Sequence, residues 1–334
     1  MTEKVYRPVE AARLLGISKD DLLGYEREGR IPPCERDENG NRAYTPEDVD
    51  KIREILGLRP RVGKSPIVIA VFNMKGGVGK STLSSNVAWK IAERGYRTLA
   101  VDADPQGHMT TALGQEPSKF DGTLQHLLIP DLQKRTTPIS RIRTRIAPNL
   151  HLAPSNLSMC SLNLLLFQQP EREYRLRRAI NEIKQSKSYD LIVVDSPPAY
   201  DLTSLNILLA CDLLLAPVKL DGNSFYGLEY LLDAIRDLKV TYRYQIPRIV
   251  IVANHYNHSY SVSRQILEGL KENYGPFLAG TVVRQDVNFD KANALREPIF
   301  VTAPSSKGSR DLEDLTAEVV QLINSATTSS EQSD

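Results

Sequence analysis

Apolar residues in this chain gather into short unbroken runs separated by stretches of helical periodicity. Ile67–Val71, Thr98–Val101, Leu191–Val194, Leu213–Val218 and Ile249–Asn254 are rich in β-branched and aliphatic side chains without polar alternation. Such runs read as strands covered on both faces, as in a parallel sheet. Between and after them, Ser84–Ile91, Tyr226–Leu238, Val262–Tyr274 and Leu312–Ile323 carry apolar residues at helical spacing. Strands alternating with helices predict an α/β fold with a mostly parallel, doubly wound sheet.

The first 56 residues follow a different pattern. Val9, Ala12, Leu14 and Leu15 form one apolar helical face, and Gly16-Ile17 turns the chain. Ser18 is placed to cap a second helix with Asp20 and Asp21 in its first turn; Leu22 to Arg27 continues it, ending at Gly29. An Asn-Gly pair at 39–40 suits a small hairpin. Thr45, Pro46 and Asp48 then form a helix start, followed by Val49, Ile52, Ile55 and Leu56 at helical spacing. Pro and Gly crowd residues 57–66, which predicts a linker. The domains expected are therefore 1–56, a linker at 57–66, and a larger domain over 67–324. Residues 325–334 have little to bury and are expected to be a disordered tail.

Composition narrows the function classes. With 334 residues, 41% apolar and 25% charged, the chain has the material for a large core and more than one domain. The formal net charge is +1, so any nucleic-acid surface must be local. Residues 1–64 hold 13 Lys/Arg and 13 Asp/Glu, which gives that region no electrostatic pull on a duplex. Cys34, Cys160 and Cys211 are widely spaced and suggest neither zinc nor iron–sulfur chemistry. No signal segment or membrane span is apparent, so the expected location is cytoplasmic.

The chemistry concentrates in Phe72–Thr82, between a strand and a helix. Gly76, Gly77, Val78 and Gly79 form a turn whose backbone N–H groups would converge on an anion at the helix N-terminus. Lys80 supplies an ammonium for phosphates, and Ser81, followed by Thr82, supplies a hydroxyl for Mg²⁺. A second lysine, Lys75, opens the loop and offers further positive charge toward a triphosphate, or else stands as a solvated loop residue. Asp102 and Asp104 end one buried strand and Asp195 another, where doubly wound sheets place ligands.

These motifs resemble the ParA/MinD family of deviant Walker-type P-loop ATPases. The resemblance rests on KGGVGKS at 75–81, Asp102-Ala103-Asp104-Pro105-Gln106-Gly107, Asp195-Ser196-Pro197-Pro198 and the late Ser305-Ser306-Lys307-Gly308 turn. It covers about Ile67 to Ile323. It implies ATP/ADP and Mg²⁺ as ligands, Lys75 reaching phosphate across an ATP sandwich homodimer, and Asp104 orienting the attacking water. Ser81, Asp102 and Asp195 would serve the metal, Asn254 would read adenine, and Arg284 would lie in the segment near the base. The family also implies non-specific DNA binding, for which Lys271 and Lys291 are candidates, although Asn288 stands where an arginine is common. A ParB-like centromere-binding partner would stimulate hydrolysis. The acidic residues Asp311, Glu313, Asp314 and Glu318 argue against a membrane-binding final helix.

Residues 1–56 resemble the MerR-type winged helix-turn-helix domain, through Tyr25–Pro33 and Arg42-Ala43-Tyr44. Arg27, Arg30, Arg36 and Arg42 are its DNA-binding candidates, but Asp20 and Asp21 stand where family members often carry arginines. A dimerisation or partner-docking module is the other reading. Together the resemblances imply a DNA partition ATPase, nucleoid-associated when ATP-bound, that could also repress its own operon through a promoter operator. A nucleotide-switched transcription regulator and an ATPase positioning a protein cargo on the nucleoid are the alternatives.

Overall fold

The computed structural model describes residues 4–60, 62, 66–133, 135–221, 224–242 and 247–331. The N-terminal domain consists of α1 (Pro8–Leu15), α2 (Lys19–Arg27), the hairpin strands β1 (Glu35–Arg36) and β2 (Arg42–Ala43), and α3 (Pro46–Ile55). Both expected caps form: Ser18 Oγ accepts from the Asp21 N–H at 3.0 Å, and Thr45 Oγ1 from the Asp48 N–H at 3.1 Å. Gly40 adopts a positive φ of 77°, which lets the Asn-Gly pair reverse the chain within the hairpin. Leu22, Ile31, Tyr44 and Ile52 form the buried centre of this domain. Val9 does not join it. Ala11 takes its place on the inner face of α1, and Val9 faces solvent.

The larger domain is built on a seven-stranded sheet in the order β5-β6-β4-β7-β3-β8-β9. Its strands are β3 (Ile67–Val71), β4 (Thr98–Asp102), β5 (Thr144–Ala147), β6 (Leu150–Ala153), β7 (Leu191–Asp195), β8 (Leu213–Lys219) and β9 (Arg248–Asn254). All neighbours are parallel except β5 and β6. The short β5 and β6 are outside the strands expected from sequence; β5 exposes part of its length and breaks its register near Arg145. Apolar clusters cover both faces of the sheet, which explains the absence of alternation in the central runs. Asp102 and Asp195 end adjacent parallel strands in direct register. The loop after β3 emerges beside them, leading into α4 (Lys80–Glu93).

Residues 57–60 do not hang free. Arg59 bonds Asp50 at 3.0 Å and Asn149 at 3.1 Å; positions 61 and 63–65 of the expected linker lie outside the described residues. At the other end, the final helix runs Lys307–Glu331, so helix continues into the segment expected as a tail; 332–334 lie outside the described residues. Among the described residues no helix is long and apolar enough to cross a membrane.

The two domains meet at the C-terminal end of α4. Glu93 Oε1 receives Lys4 Nζ at 2.5 Å and the Tyr6 hydroxyl at 2.7 Å, while its Oε2 receives Lys90 at 2.7 Å. Arg53 from α3 is almost wholly buried, donating to the Leu14 carbonyl at 3.0 Å and the Glu93 carbonyl at 3.2 Å. Its guanidinium occupies the space a side chain at Gly95 would need, since a Cβ there would lie 2.5 Å from Arg53 Nε. Burial pushes the Glu93 carboxyl up, but the Lys4 and Lys90 charges and hydrogen bonds outweigh it and hold the pKa down at about 2.

That depression gives the joint a pH signature. A carboxyl depressed in the folded state stabilises above its unfolded pKa, near 4.5, and loses that contribution as pH falls toward about 2. Thermal unfolding midpoints of the wild type should fall across this window. Glu93→Gln should start lower at neutral pH and show a flatter acid limb, and parallel curves for the two proteins would contradict the assignment.

Candidate functional site

The loop after β3 is shaped by its glycines and by two asparagines. Gly77 and Gly79 have φ of 70° and 89°, and Gly79 is the residue from which α4 starts. A Cβ at Gly79 would stand 2.5 Å from Asn254 Nδ2, so close approach as well as φ requires glycine here. Asn73 Nδ2 donates to the Pro217 carbonyl at 2.8 Å, and its Oδ1 accepts the Lys75 N–H at 2.9 Å, anchoring the loop start to β8. Lys80 is buried at the first position of α4, with Nζ donating to the Lys75 carbonyl at 3.0 Å. Burial lowers its pKa, and the Asp195 and Asp104 charges push back. Lys75 Nζ is paired with Asp221 at 2.6 Å. It is therefore a partnered side chain at a part-exposed position, and Asp221 is a contact that sequence reasoning missed.

Three buried carboxylates face the loop. Asp102 Oδ2 accepts the Thr110 N–H at 2.8 Å and the Thr110 hydroxyl at 2.7 Å, and its Oδ1 accepts the Asp104 N–H at 3.2 Å. Among the described residues no hydrogen bond of normal geometry reaches either oxygen of Asp195, though the Ser81 and Ser84 hydroxyls are near enough to oppose its shift. Burial first, and then the Asp102 charge, raise the pKa of Asp195; burial also raises that of Asp102. An unpartnered buried carboxylate beside Ser81 is a hard-oxygen donor set that fits Mg²⁺. Asp104 is oriented by its backbone: its carbonyl accepts the Ser155 hydroxyl at 2.6 Å, and its Oδ1 accepts the Gln106 N–H at 2.9 Å. Ser155 and Thr110 have no local motif; only folding brings them here.

Space for a ligand lies on both sides of Gly79. A cavity of about 460 Å³ runs along Gly76, Gly77, Lys80 and Ser81 to Asp104 and Pro198. A second, of about 170 Å³, lies between Asn254, His255, Arg284 and Phe289. Gly79, Thr82 and Asn293 line both, so the two lobes adjoin across the start of α4. The Asn254 amide is partly engaged already: Nδ2 donates to the Val78 carbonyl at 2.8 Å and Oδ1 accepts the His255 N–H at 2.9 Å. One N–H and one lone pair remain for a base. Arg284 forms a two-pronged pair with Asp311, Nη2 to Oδ1 at 2.5 Å and Nε to Oδ2 at 2.9 Å. It lines the base-side lobe while its guanidinium is directed to that carboxylate.

The DNA candidates are not gathered in this way. Arg42 is bound to Glu26 at 2.8 Å, and Arg30 lies over the Tyr25 ring beside Glu28. Arg27 and Arg36 donate instead to the Leu23 and Gly40 carbonyls. Lys271, on the helix Ser261–Tyr274, pairs with Glu268 at 2.8 Å. Lys291 is exposed on a different helix, Val287–Leu295.

Gly79→Ala should force the αL start of α4 out of shape and push on Asn254, at a strain of about 1–3 kcal/mol. Calorimetric titration with Mg-ATP should show affinity at least about tenfold weaker. Wild-type affinity would remove Gly79 from the cradle.

Comparison with known proteins points to the same family. A family model described as an AAA domain matches residues 67–247, more than half of the chain, and one described as MerR HTH family regulatory protein matches 6–71. Cell division protein PomZ of Myxococcus xanthus is 34% identical over 328 residues, covering 98% of this chain and 96% of that protein. Sporulation initiation inhibitor protein Soj of Bacillus subtilis is 30% identical, covering 75% and 97%. In fold alone, the McdA–ATP complex from Cyanothece superposes with a TM-score of 0.67 at 18% identity, over 77% of this chain and 97% of that one. The Pyrococcus furiosus cell division ATPase MinD does so at 0.60 and 20%, over 77% and 99%. With the two-lobed cavity at the Lys75–Thr82 loop and a MerR-like N-terminal domain, this chain belongs to the ParA/MinD family of ATP-dependent partitioning P-loop ATPases.

Proposed function

We propose that this protein hydrolyses Mg-ATP in a cycle of dimerisation, DNA binding and partner-triggered release. The observation that carries the reading is the arrangement of Lys80, Ser81 and Asp104 around one cavity, with Asp195 buried behind Ser81, next to a second lobe that suits a base. The N–H groups of residues 76–82 and the Lys80 ammonium would take the phosphates. Ser81 Oγ and Asp195, with Asp102 behind it, would hold Mg²⁺, which supplies charge neutralisation on the β- and γ-phosphates. Asp104, fixed through its backbone by Ser155, would accept a hydrogen bond from the attacking water.

Lys75 is bound within its own chain to Asp221. For a contact across a sandwich dimer it must leave that carboxylate, and a partner subunit's phosphate would be the stronger attractor. Dimerisation on ATP would then join basic residues such as Lys271 and Lys291 of two protomers into a surface for random DNA on the nucleoid. A ParB-like protein would stimulate hydrolysis and so release the dimer. Docking of the N-terminal domain on an operator would draw on Arg27 and Arg36, whose bonds go to neutral carbonyls and leave their charge available to phosphate.

Asp104→Ala should retain Mg-ATP binding, ATP-dependent dimerisation and retention on random DNA while losing turnover by about 10²-fold or more. Phosphate release and light scattering, measured on the same samples, check it. Turnover at the wild-type rate would reject Asp104 as the water-positioning group, and loss of ATP binding would reassign it to the cradle.

A further inference from the structure

The first turns of the final helix bond to residues that line the base-side lobe and to the N-terminal domain at once. Asp311 grips Arg284 from below the lobe, and Asp286, which caps the helix lined against that lobe, accepts the Gly308 N–H at 2.8 Å. Two residues beyond Asp311, Glu313 turns the other way. Its carboxylate lies 3.3 Å from Lys90 and 3.6 Å from Arg13 of α1, and its carbonyl accepts from Arg94 at 3.3 Å. Lys90 in turn binds Glu93, the carboxylate that Lys4 and Tyr6 of the N-terminal domain hold. Two sets of charged contacts, Arg284–Asp311 at the base-side lobe and Arg13–Glu313–Lys90–Glu93 at the N-terminal domain, are therefore joined through the backbone of one helical turn, and Arg53 of α3 reaches the second set through the Glu93 carbonyl.

The elements along this route differ in their freedom. Helix α4 is buried from Leu83 to Ala92, and its last turn borders the cleft between the domains at Lys90 and Glu93. The start of the final helix instead borders an open cleft of about 570 Å³ between the domains, lined by Lys4, Arg13, Lys90, Arg310 and Glu313 among others. A close-packed helix resists displacement, whereas a turn against a cleft has room to move. On α4, facing the same joint, Trp89 is buried beside Arg53 and Tyr6, and its Nε1–H has no hydrogen-bond partner among the described residues. It is the only tryptophan in the chain.

We propose that the Asp311–Glu313 turn couples nucleotide occupancy to the docking of the N-terminal domain, so that the helix-turn-helix surface and the nucleotide site are thermodynamically linked. Closing the base-side lobe around a nucleotide draws on Arg284 and hence on Asp311. Glu313 follows within the same helical turn and redistributes Lys90 and Arg13 between itself and their other partners. By linkage, a ligand of the N-terminal domain changes nucleotide affinity by the same factor. This inference rests on the nucleotide reading of the site.

The test uses the full chain with Mg-ADP and a non-hydrolysable Mg-ATP analogue. Calorimetry reports binding, Trp89 emission reports the joint, and amide exchange over 46–55 reports α3. Nucleotide should shift the emission and change α3 protection by about fivefold or more. Glu313→Gln should still bind nucleotide and lose both responses, and Arg13→Ala, which removes only the outer contact, should weaken them, keeping the test decisive if Glu313→Gln fails to fold. Saturation by calorimetry with both signals at their nucleotide-free values would overturn the coupling, as would wild-type responses in both variants. Absence of any calorimetric binding would instead overturn the nucleotide reading, and the coupling with it.

Discussion

Burial of α4 from Leu83 to Ala92 is the constraint on which the rest of this molecule depends. One end of the helix starts from Gly79 in a backbone conformation that only glycine adopts readily, pressed against Asn254. The other end carries Glu93 into a cage of two ammonium groups and a phenol supplied largely by the N-terminal domain. A helix fixed in the core transmits its position to both ends. The phosphate loop is thus held in place before any ligand arrives, and the N-terminal domain is docked against the ATPase domain.

Charge is distributed around the site so that the ligand completes it. Lys80 is buried and donates to a loop carbonyl, while Asp195 is buried with no donor in good hydrogen-bond geometry among the described residues. Each is costly in isolation and each is relieved by a species of opposite charge: phosphate for the lysine, a divalent cation for the carboxylate. Lys75 is the exception, since Asp221 already neutralises it. The two lysines of the loop therefore stand in different conditions, one waiting and one occupied, which accords with a proposed division between binding within a protomer and binding across two.

Much of this was legible in the sequence because the relevant physics is local. Unbroken apolar runs mark strands covered on both faces, and Ser18 and Thr45 marked helix starts that formed as read. The loop Lys75–Thr82 was legible because a phosphate cradle needs its glycines, lysine and hydroxyl contiguous. What escaped depends on contacts distant in sequence. Nothing in the local sequence around Glu93 and Arg53 shows that Lys4, Tyr6 and Gly95 come to meet them. Val9 was misplaced because the buried face of α1 runs through Ala11, Ala12 and Leu15, and Val9, two residues before Ala11, points to the other side of the helix. Arg42 and Arg30 drew attention as cations, but nothing in their spacing reveals that Glu26 and Tyr25 occupy them.

The central claim is that ATP assembles two protomers through Lys75 once it leaves Asp221. Light scattering of the full chain with a non-hydrolysable Mg-ATP analogue tests it most directly, alongside Lys75→Ala and a calorimetric check of binding. The wild type should double its mass on nucleotide saturation, whereas Lys75→Ala should bind nucleotide and remain a monomer. A wild type that stays monomeric while saturated, or a Lys75→Ala variant that dimerises equally well, would contradict the account.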